Sequence, residues 1–166
     1  MKIFDGYNVI GAGRELGLDL GQTDKEERLL RLLFSYRSRR RMKEQFVVVF
    51  DGDYGRLAEG PKRSTRGGIT VEWAVGESAD DLIARRVREA ANPRGVQVIT
   101  SDRELLDRIR HCRAEGVRSH VFLRGVGEEL EEERGAEKPD APSPGEVQEW
   151  LALFGEESEK DGNDDR

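Results

Sequence analysis

The sequence predicts an α/β protein: a three-layer α/β/α sandwich on a mainly parallel five-stranded sheet. Three observations predict it. Short β-branched or aromatic runs alternate with helical segments through residues 1–127, the pattern of parallel strands joined by helical crossovers. The run FVVVF at 46–50 is apolar on both of its faces, as a central strand covered from two sides must be. Helix-start signals follow the loops closely, at Thr23-x-x-Glu26, Ser78 and Ser101-x-x-Glu104.

Taken in order, Lys2-Ile3-Phe4 is the first strand. Residues 8–16 suit a helical turn, with Gly11, Gly13 and Gly17 as breakers. The first capping box opens a helix with an apolar face of Leu29, Leu30, Leu32, Leu33 and Tyr36. It ends in the basic run Arg37-Ser38-Arg39-Arg40-Arg41. FVVVF is the second strand, and DGDYGRLAEGPKRSTRGG (51–68) has loop chemistry. ITVEWAV (69–75) is the third strand. Ser78 caps a helix from Ala79 to about Ala91, with Leu82, Ile83 and Val87 inward. VQVIT (96–100) is the fourth strand, and the second capping box opens a helix through Leu105, Leu106 and Ile109. SHVFL (119–123) is read as the last strand.

At Glu128 the composition changes. Residues 1–127 hold 24 Lys and Arg against 19 Asp and Glu, a balance of +5, whereas residues 128–166 hold 4 against 15, a balance of −11. The expected division is a domain at 1–127 and an acidic tail at 128–166. Within the tail, Gly135 to Pro142 reads as a linker. A short docking helix is expected at about 144–154, started by Ser143-Pro144 and carrying Val147, Trp150, Leu151 and Phe154 on one side. This asymmetry suits nucleic acid or an acidic interaction tail, while charge alone is explained more simply by a solvated surface with a solubilising tail. A single cysteine, Cys112, excludes an internal disulfide and a cysteine-based zinc site. No apolar run approaches the length of a signal peptide or membrane span, so a cytoplasmic protein without membrane contact is expected.

The candidate chemistry stands where strands end. Asp5 follows the first strand, Asp51 follows FVVVF, Asp102 lies just past Thr100, and Asp80 and Asp81 open the helix after the third strand. In open parallel sheets, sites form outside the carboxyl ends of the strands. Singly, each Asp is explained as a turn or early-helix residue, and for Asp81 that is the simpler reading. Together they repel one another, and a cation between them relieves the repulsion. Oxygen ligands without Cys or His select Mg2+ or Mn2+, an ion suited to the attack of water on a phosphodiester. Gly6 beside Asp5 would let a substrate backbone come close. Asn8 would orient a ligand with its amide, or cap the first helical turn. Two basic clusters are candidates for RNA phosphates: Arg37, Arg39, Arg40, Arg41 and Lys43 at a helix end, and Lys62, Arg63 and Arg66 in the long loop. The first cluster is explained more simply by a helix C-terminus, whose dipole favours cations, and the loop, which leaves the sheet on the edge where Asp51 ends its strand, is the better candidate. Tyr7 and Tyr54 are candidates to stack a base, or to pack.

DGYNVIG (5–11), VVVFDG (47–52), ESADDLIARRV (77–87) and VITSD (98–102) resemble, in order, the YacP-like branch of the NYN domains, bacterial relatives of the PIN-like ribonucleases. The resemblance covers about residues 1–125. It implies a PIN-like fold and metal-dependent endoribonuclease activity, with Asp5, Asn8, Asp51, Asp80 and Asp102 at the positions of the family's acidic pocket. On the residues and the resemblance together, Asp5, Asp80 and Asp102 are expected to hold Mg2+ or Mn2+. Asp51 supports them, Asp81 is a secondary acid, and Lys62, Arg63 and Arg66, with Arg40 and Arg41, meet RNA. The branch commonly has Thr-Ala-Asp-Glu where this chain has Ser78-Ala79-Asp80-Asp81. Some members work on the ribosome, a partner this chain would then share. Members tend to carry a basic helical tail, and this chain departs from them with EELEEERGAEKPDAPSPG. Two alternatives stand beside the nuclease. One is a catalytically silent RNA-binding or adaptor domain. The other is a haloacid-dehalogenase-type phosphatase with Asp51 of VVVFDGDYG as nucleophile, for which no later lysine stands in place.

Overall fold

Six strands form one sheet in the computed structural model, which describes residues 1–52, 63–135 and 145. β1 (Lys2–Asp5) lies between β2 (Phe46–Asp51) and β5 (Gln97–Ile99); β4 (Ile69–Ala74) adds beside β2, and β6 (Glu115–Val117) beside β5. All these pairs are parallel. β3 (Arg63–Arg66) is antiparallel on the outer side of β4. The chain thus moves outward from β1 through β2 to β4, then returns across β1 to β5 and β6. Right-handed crossovers in opposite directions put helices on opposite faces. α1 (Gly6–Ala12), α2 (Lys25–Arg39) and α5 (Ser119–Gly135) cover one face, and α3 (Ala79–Glu89) and α4 (Arg103–His111) the other.

The pleat sorts the core between the two faces. In β2, Phe46, Val48 and Phe50 pack with Val9, Ile10, Leu29, Leu33 and Leu123, while Val47 and Val49 pack with Ile83, Val87, Leu105 and Ile109. All five apolar residues of β2 are buried, which is why FVVVF shows no alternation.

The sheet has one strand more than expected, because residues 63–66 leave the long loop to pair with β4. Gly67 and Gly68 turn the hairpin with positive φ (55° and 78°), backbone that glycine adopts without strain. Thr65 and Thr70 face each other across it with hydroxyls 2.9 Å apart. Its sequence, RSTR, has no apolar alternation because it is an edge strand. A second expectation fails at 119–123, which opens α5 and is no strand; the last strand is Glu115–Val117. Leu123 and Val126 are buried while Val121 is exposed, a helical spacing that SHVFL alone does not reveal. The capping residues also shift by one. Asp24 precedes α2, without a side-chain cap bond, and Asp102 caps α4 in place of Ser101, accepting from Leu105 N–H at 2.9 Å. Ser78 caps α3 as expected, accepting from Asp81 N–H at 3.1 Å. α5 runs through Glu128 without a break to Gly135. Lys62, Tyr54, and Trp150, Leu151 and Phe154 of the helix expected at 144–154 lie outside the described residues. Among the described residues no helix is long and apolar enough to cross a membrane.

Candidate active site

Every parallel strand runs in the same sense, so the carboxyl ends of β1, β2, β4 and β5 share one edge. Asp5 and Asp51 are the last residues of β1 and β2, Asp80 stands in the first turn of α3 after β4, and Asp102 caps α4 after β5. The four carboxylates act on one another: Asp5 feels the charges of Asp80 and Asp51, and Asp80 those of Asp102 and Asp51.

Asp5 is the innermost, 8% exposed. Burial pushes its carboxyl up to about 6, aided by Asp80 and Asp51 and opposed by the Thr100 hydroxyl and the Asn8 backbone N–H. Thr100, fully buried, donates from Oγ1 to Asp5 Oδ2 at 2.8 Å and accepts at the same oxygen from Asp102 N–H at 3.1 Å. One hydroxyl thereby ties the first acid to the backbone of the last. Asp80 is half-buried; burial first and Asp102 next raise its carboxyl, with Arg108 pulling it down. Asp51 is exposed, and its Oδ1 accepts from Ala79 N–H at 2.8 Å. It therefore anchors the start of α3, the helix that carries Asp80.

Asn8 sits beside this row, with its backbone N–H on the Asp5 carboxylate. Its Oδ1 accepts from Ser101 N–H at 2.8 Å and from Ser119 Oγ at 2.7 Å. Ser119 is fully buried, and its own N–H donates to Ser101 Oγ at 3.1 Å. Sequence reasoning missed Thr100, Ser101 and Ser119 as supports. The one available signal was a hydroxyl run at the end of a buried strand. It missed Arg108 too, whose partner stands 27 positions away.

Other expected residues are placed differently. Asp81 is exposed and accepts from Ser78 Oγ at 2.9 Å and from Arg108 Nη2 at 2.7 Å; that guanidinium, then Ser78, holds its carboxyl below the usual range. It is a paired helix-start charge, and it still adds to the charges that raise Asp80. Gly6 does not open Asp5 to a substrate. It is buried, and a Cβ there would stand 2.3 Å from the Phe50 ring and 2.9 Å from the Val49 carbonyl oxygen. Close packing of α1 on β2 demands glycine. Tyr7 also packs, 5.1 Å from the Phe50 ring centre, with its hydroxyl on Glu26 at 2.9 Å. Arg40 follows α2 at the opposite, amino edge and pairs with Glu129 of α5 at 2.7 Å, with Arg41 next to it. Arg37 donates to the Gly67 and Glu44 carbonyls there. Arg63 starts β3 near the acidic edge and pairs with buried Glu72 at 3.0 Å. Of Arg66 only the backbone is described.

The donor set is all oxygen, with two raised carboxylates that an added positive charge would relieve. In donor chemistry it fits a hard dication. Among the described residues no three His, Cys, Asp or Glu side chains are grouped closely enough to hold one ion as they stand. A groove of about 660 Å³ between residues 12–16 and α5 contains none of these acids. The row lies instead along the carboxyl edge of the parallel strands.

A model of the YacP-like NYN domain family matches residues 2–149. Comparison with curated proteins finds no match. Among solved structures, the chain is similar to that of a mutant of Rae1 (YacP) from Bacillus subtilis with one tryptophan replaced by leucine. The identity is 26% and the TM-score 0.59, with coverage of 92% of this chain and 91% of that one. It is similar in fold to a second structure of Rae1 (YacP) from Bacillus subtilis, at 24% identity and a TM-score of 0.59, covering 94% of this chain and 88% of that one. With its six-stranded α/β sheet and with the family model spanning nearly the whole described chain, the protein belongs to the YacP-like NYN domain family, a family of PIN-like nuclease fold.

Proposed function

We propose that this protein is a divalent-metal-dependent endoribonuclease that hydrolyses RNA phosphodiester bonds. One observation carries the proposal: the carboxylates of Asp5, Asp51, Asp80 and Asp102 sit on one edge of the sheet within electrostatic reach of one another, and two of them are raised. Family membership supports a nuclease and RNA as its substrate class, and it leaves the phosphatase alternative without support. In this reading Asp5, Asp80 and Asp102 hold Mg2+ or Mn2+, which when bound supplies activation of water and stabilisation of the leaving oxygen. Thr100 fixes the Asp5 carboxylate and the turn that carries Asp102. Asp51 supports the site by seating the start of α3. Asn8 positions a ligand. Lys62, Arg63 and Arg66 hold the RNA backbone without choosing sequence. Arg40 and Arg41, at the far edge, serve only a strand long enough to reach round the molecule. The ribosome enters as a partner only through the family resemblance, and the acidic stretch after Glu128 disfavours contact with RNA.

The test is incubation with structured and unstructured RNAs, with and without Mg2+ or Mn2+. Metal-dependent internal cleavage is expected. A chain that binds RNA but never cuts it would instead be the silent adaptor.

A further inference from the structure

By its place beside the acidic row, Asn8 reads as one more oxygen donor, and its hydrogen bonds say otherwise. Its Oδ1 already accepts two hydrogen bonds, from Ser101 N–H at 2.8 Å and from Ser119 Oγ at 2.7 Å. A backbone N–H can only donate, so the amide cannot turn over without setting two donors face to face. An amide oxygen has two lone pairs, and both are taken. What Asn8 has left to offer is its N–H2. Ser119 is fully buried at the first position of α5, and its N–H is held in turn by Ser101 Oγ at 3.1 Å. The orientation is therefore set by two segments far apart in sequence, the β5–α4 turn and the start of α5.

Resting on the nuclease reading, we infer that Asn8 is a hydrogen-bond donor to a phosphate oxygen of the RNA and not a ligand of the cation, and that Ser119 is a positioning residue that holds Asn8 in this orientation. Beside four carboxylates that repel a phosphate, a fixed neutral donor gives the anion an attractive contact without competing for the ion.

Four variants of the full chain test this against wild type: Asn8→Asp, Asn8→Ala, Ser119→Ala, and the pair Asn8→Ala with Ser119→Ala. Three quantities are read for each: Mn2+ affinity by electron paramagnetic resonance, RNA affinity in Ca2+, and kcat/KM in Mg2+. Asn8→Asp keeps an oxygen for Ser101 and Ser119 but replaces the donor by an anion. It should hold Mn2+ as well as wild type or better, yet lose at least tenfold in RNA affinity and in kcat/KM. Ser119→Ala should lose about three- to tenfold in RNA affinity with Mn2+ affinity unchanged. That loss should shrink to under twofold when measured in the Asn8→Ala background, because a residue acting only through Asn8 has nothing left to position. Asn8→Asp cleaving within twofold of wild type would overturn the donor assignment, as would a tenfold fall in Mn2+ affinity in Asn8→Ala. An undiminished Ser119→Ala effect in the Asn8→Ala background would overturn the positioning role. Asn8 is only half-buried, so its variants stay informative even if Ser119→Ala fails to fold. Absence of cleavage by wild type is a separate outcome, which defeats the nuclease reading itself.

Discussion

At Asp5 the protein maintains a carboxylate where a carboxylate is least welcome. A shift from 3.8 to about 6 corresponds to roughly 3 kcal/mol at about 1.4 kcal/mol per unit. The sign follows from linkage. The folded-state pKa lies above the unfolded one, so the folded protein takes up the proton more readily, and folding is penalised in full above about pH 7. The penalty disappears as the pH falls through 6 toward 3.8. Asp80 is raised in the same direction. Asp81 is shifted the other way but is exposed, and its share is discounted for solvent screening. Metal-free protein should therefore be more stable at pH 5 than at pH 7.5, by roughly 1–1.5 kcal/mol from Asp5 alone. Asp5→Asn should raise stability at pH 7.5 by about 1–3 kcal/mol and change little at pH 4. Urea midpoints across this range check both statements; an Asp5→Asn protein less stable than wild type at pH 7.5 would contradict them. The acids themselves were legible in the sequence, because an Asp after a strand is a local signal. Thr100, Ser101 and Ser119 were not, because what distinguishes them is a partner that only the fold brings near.

Elements meet at two demanding points. Gly6 begins α1 against β2, where an added methyl would strike Phe50 and the Val49 carbonyl. Phe50 cannot swing aside, since the Tyr7 and Trp73 rings stand 5.1 and 4.9 Å from it. Gly6→Ala should cost about 1–3 kcal/mol as an overpacked contact, measured by denaturant unfolding, and it should shift α1 together with Asn8. The second point is Glu72 of β4, 3% exposed, which pairs with Arg86 of α3 and with Arg63 of β3. Glu72→Gln removes the charge that both guanidinium groups face. It should destabilise by about 3 kcal/mol, toward the low end for breaking a buried pair because both arginines retain access to water. A melting temperature unchanged in this variant would show the pair to be dispensable. Element type was legible wherever apolar period and length agreed, as in FVVVF and the helix after Ser78. It failed at RSTR, where an edge strand needs no apolar face, and at SHVFL, where five residues suit either period until Val126 is included.

On the scale of the whole molecule, charge is arranged to suit a polyanion at one end of the chain and oppose it at the other. Residues 1–127 balance at +5 and residues 128–166 at −11. If Lys62, Arg63 and Arg66 meet RNA phosphates, replacing all three by Gln should weaken binding of unrelated RNAs alike. It should also flatten the dependence of log K on log salt by about 2, at about 0.7 per lost contact with a single strand. An unchanged salt slope would remove this loop from the RNA path. The layered architecture was legible because alternating strands and helices admit few topologies, and the shared edge of the acids followed from parallel strands alone. The placement of cations was legible in part. The loop cluster was the better candidate because the loop leaves the sheet after Asp51, and α2, which runs antiparallel to the strands, delivers Arg40 and Arg41 to the opposite edge.

The most direct measurement of the central claim is cleavage of a defined RNA by wild type and by Asp80→Asn, each with Mg2+ or Mn2+ and with chelator, alongside unfolding of both proteins. Asp80→Asn removes one charge from a raised carboxylate while keeping its shape. Folding should be retained or slightly strengthened. Wild type should cut internally only with the ion present, and Asp80→Asn should lose at least about a hundredfold in rate with no loss of stability. Cleavage undiminished in chelator, or undiminished in the Asp80→Asn protein, would contradict a metal-dependent nuclease centred on these carboxylates.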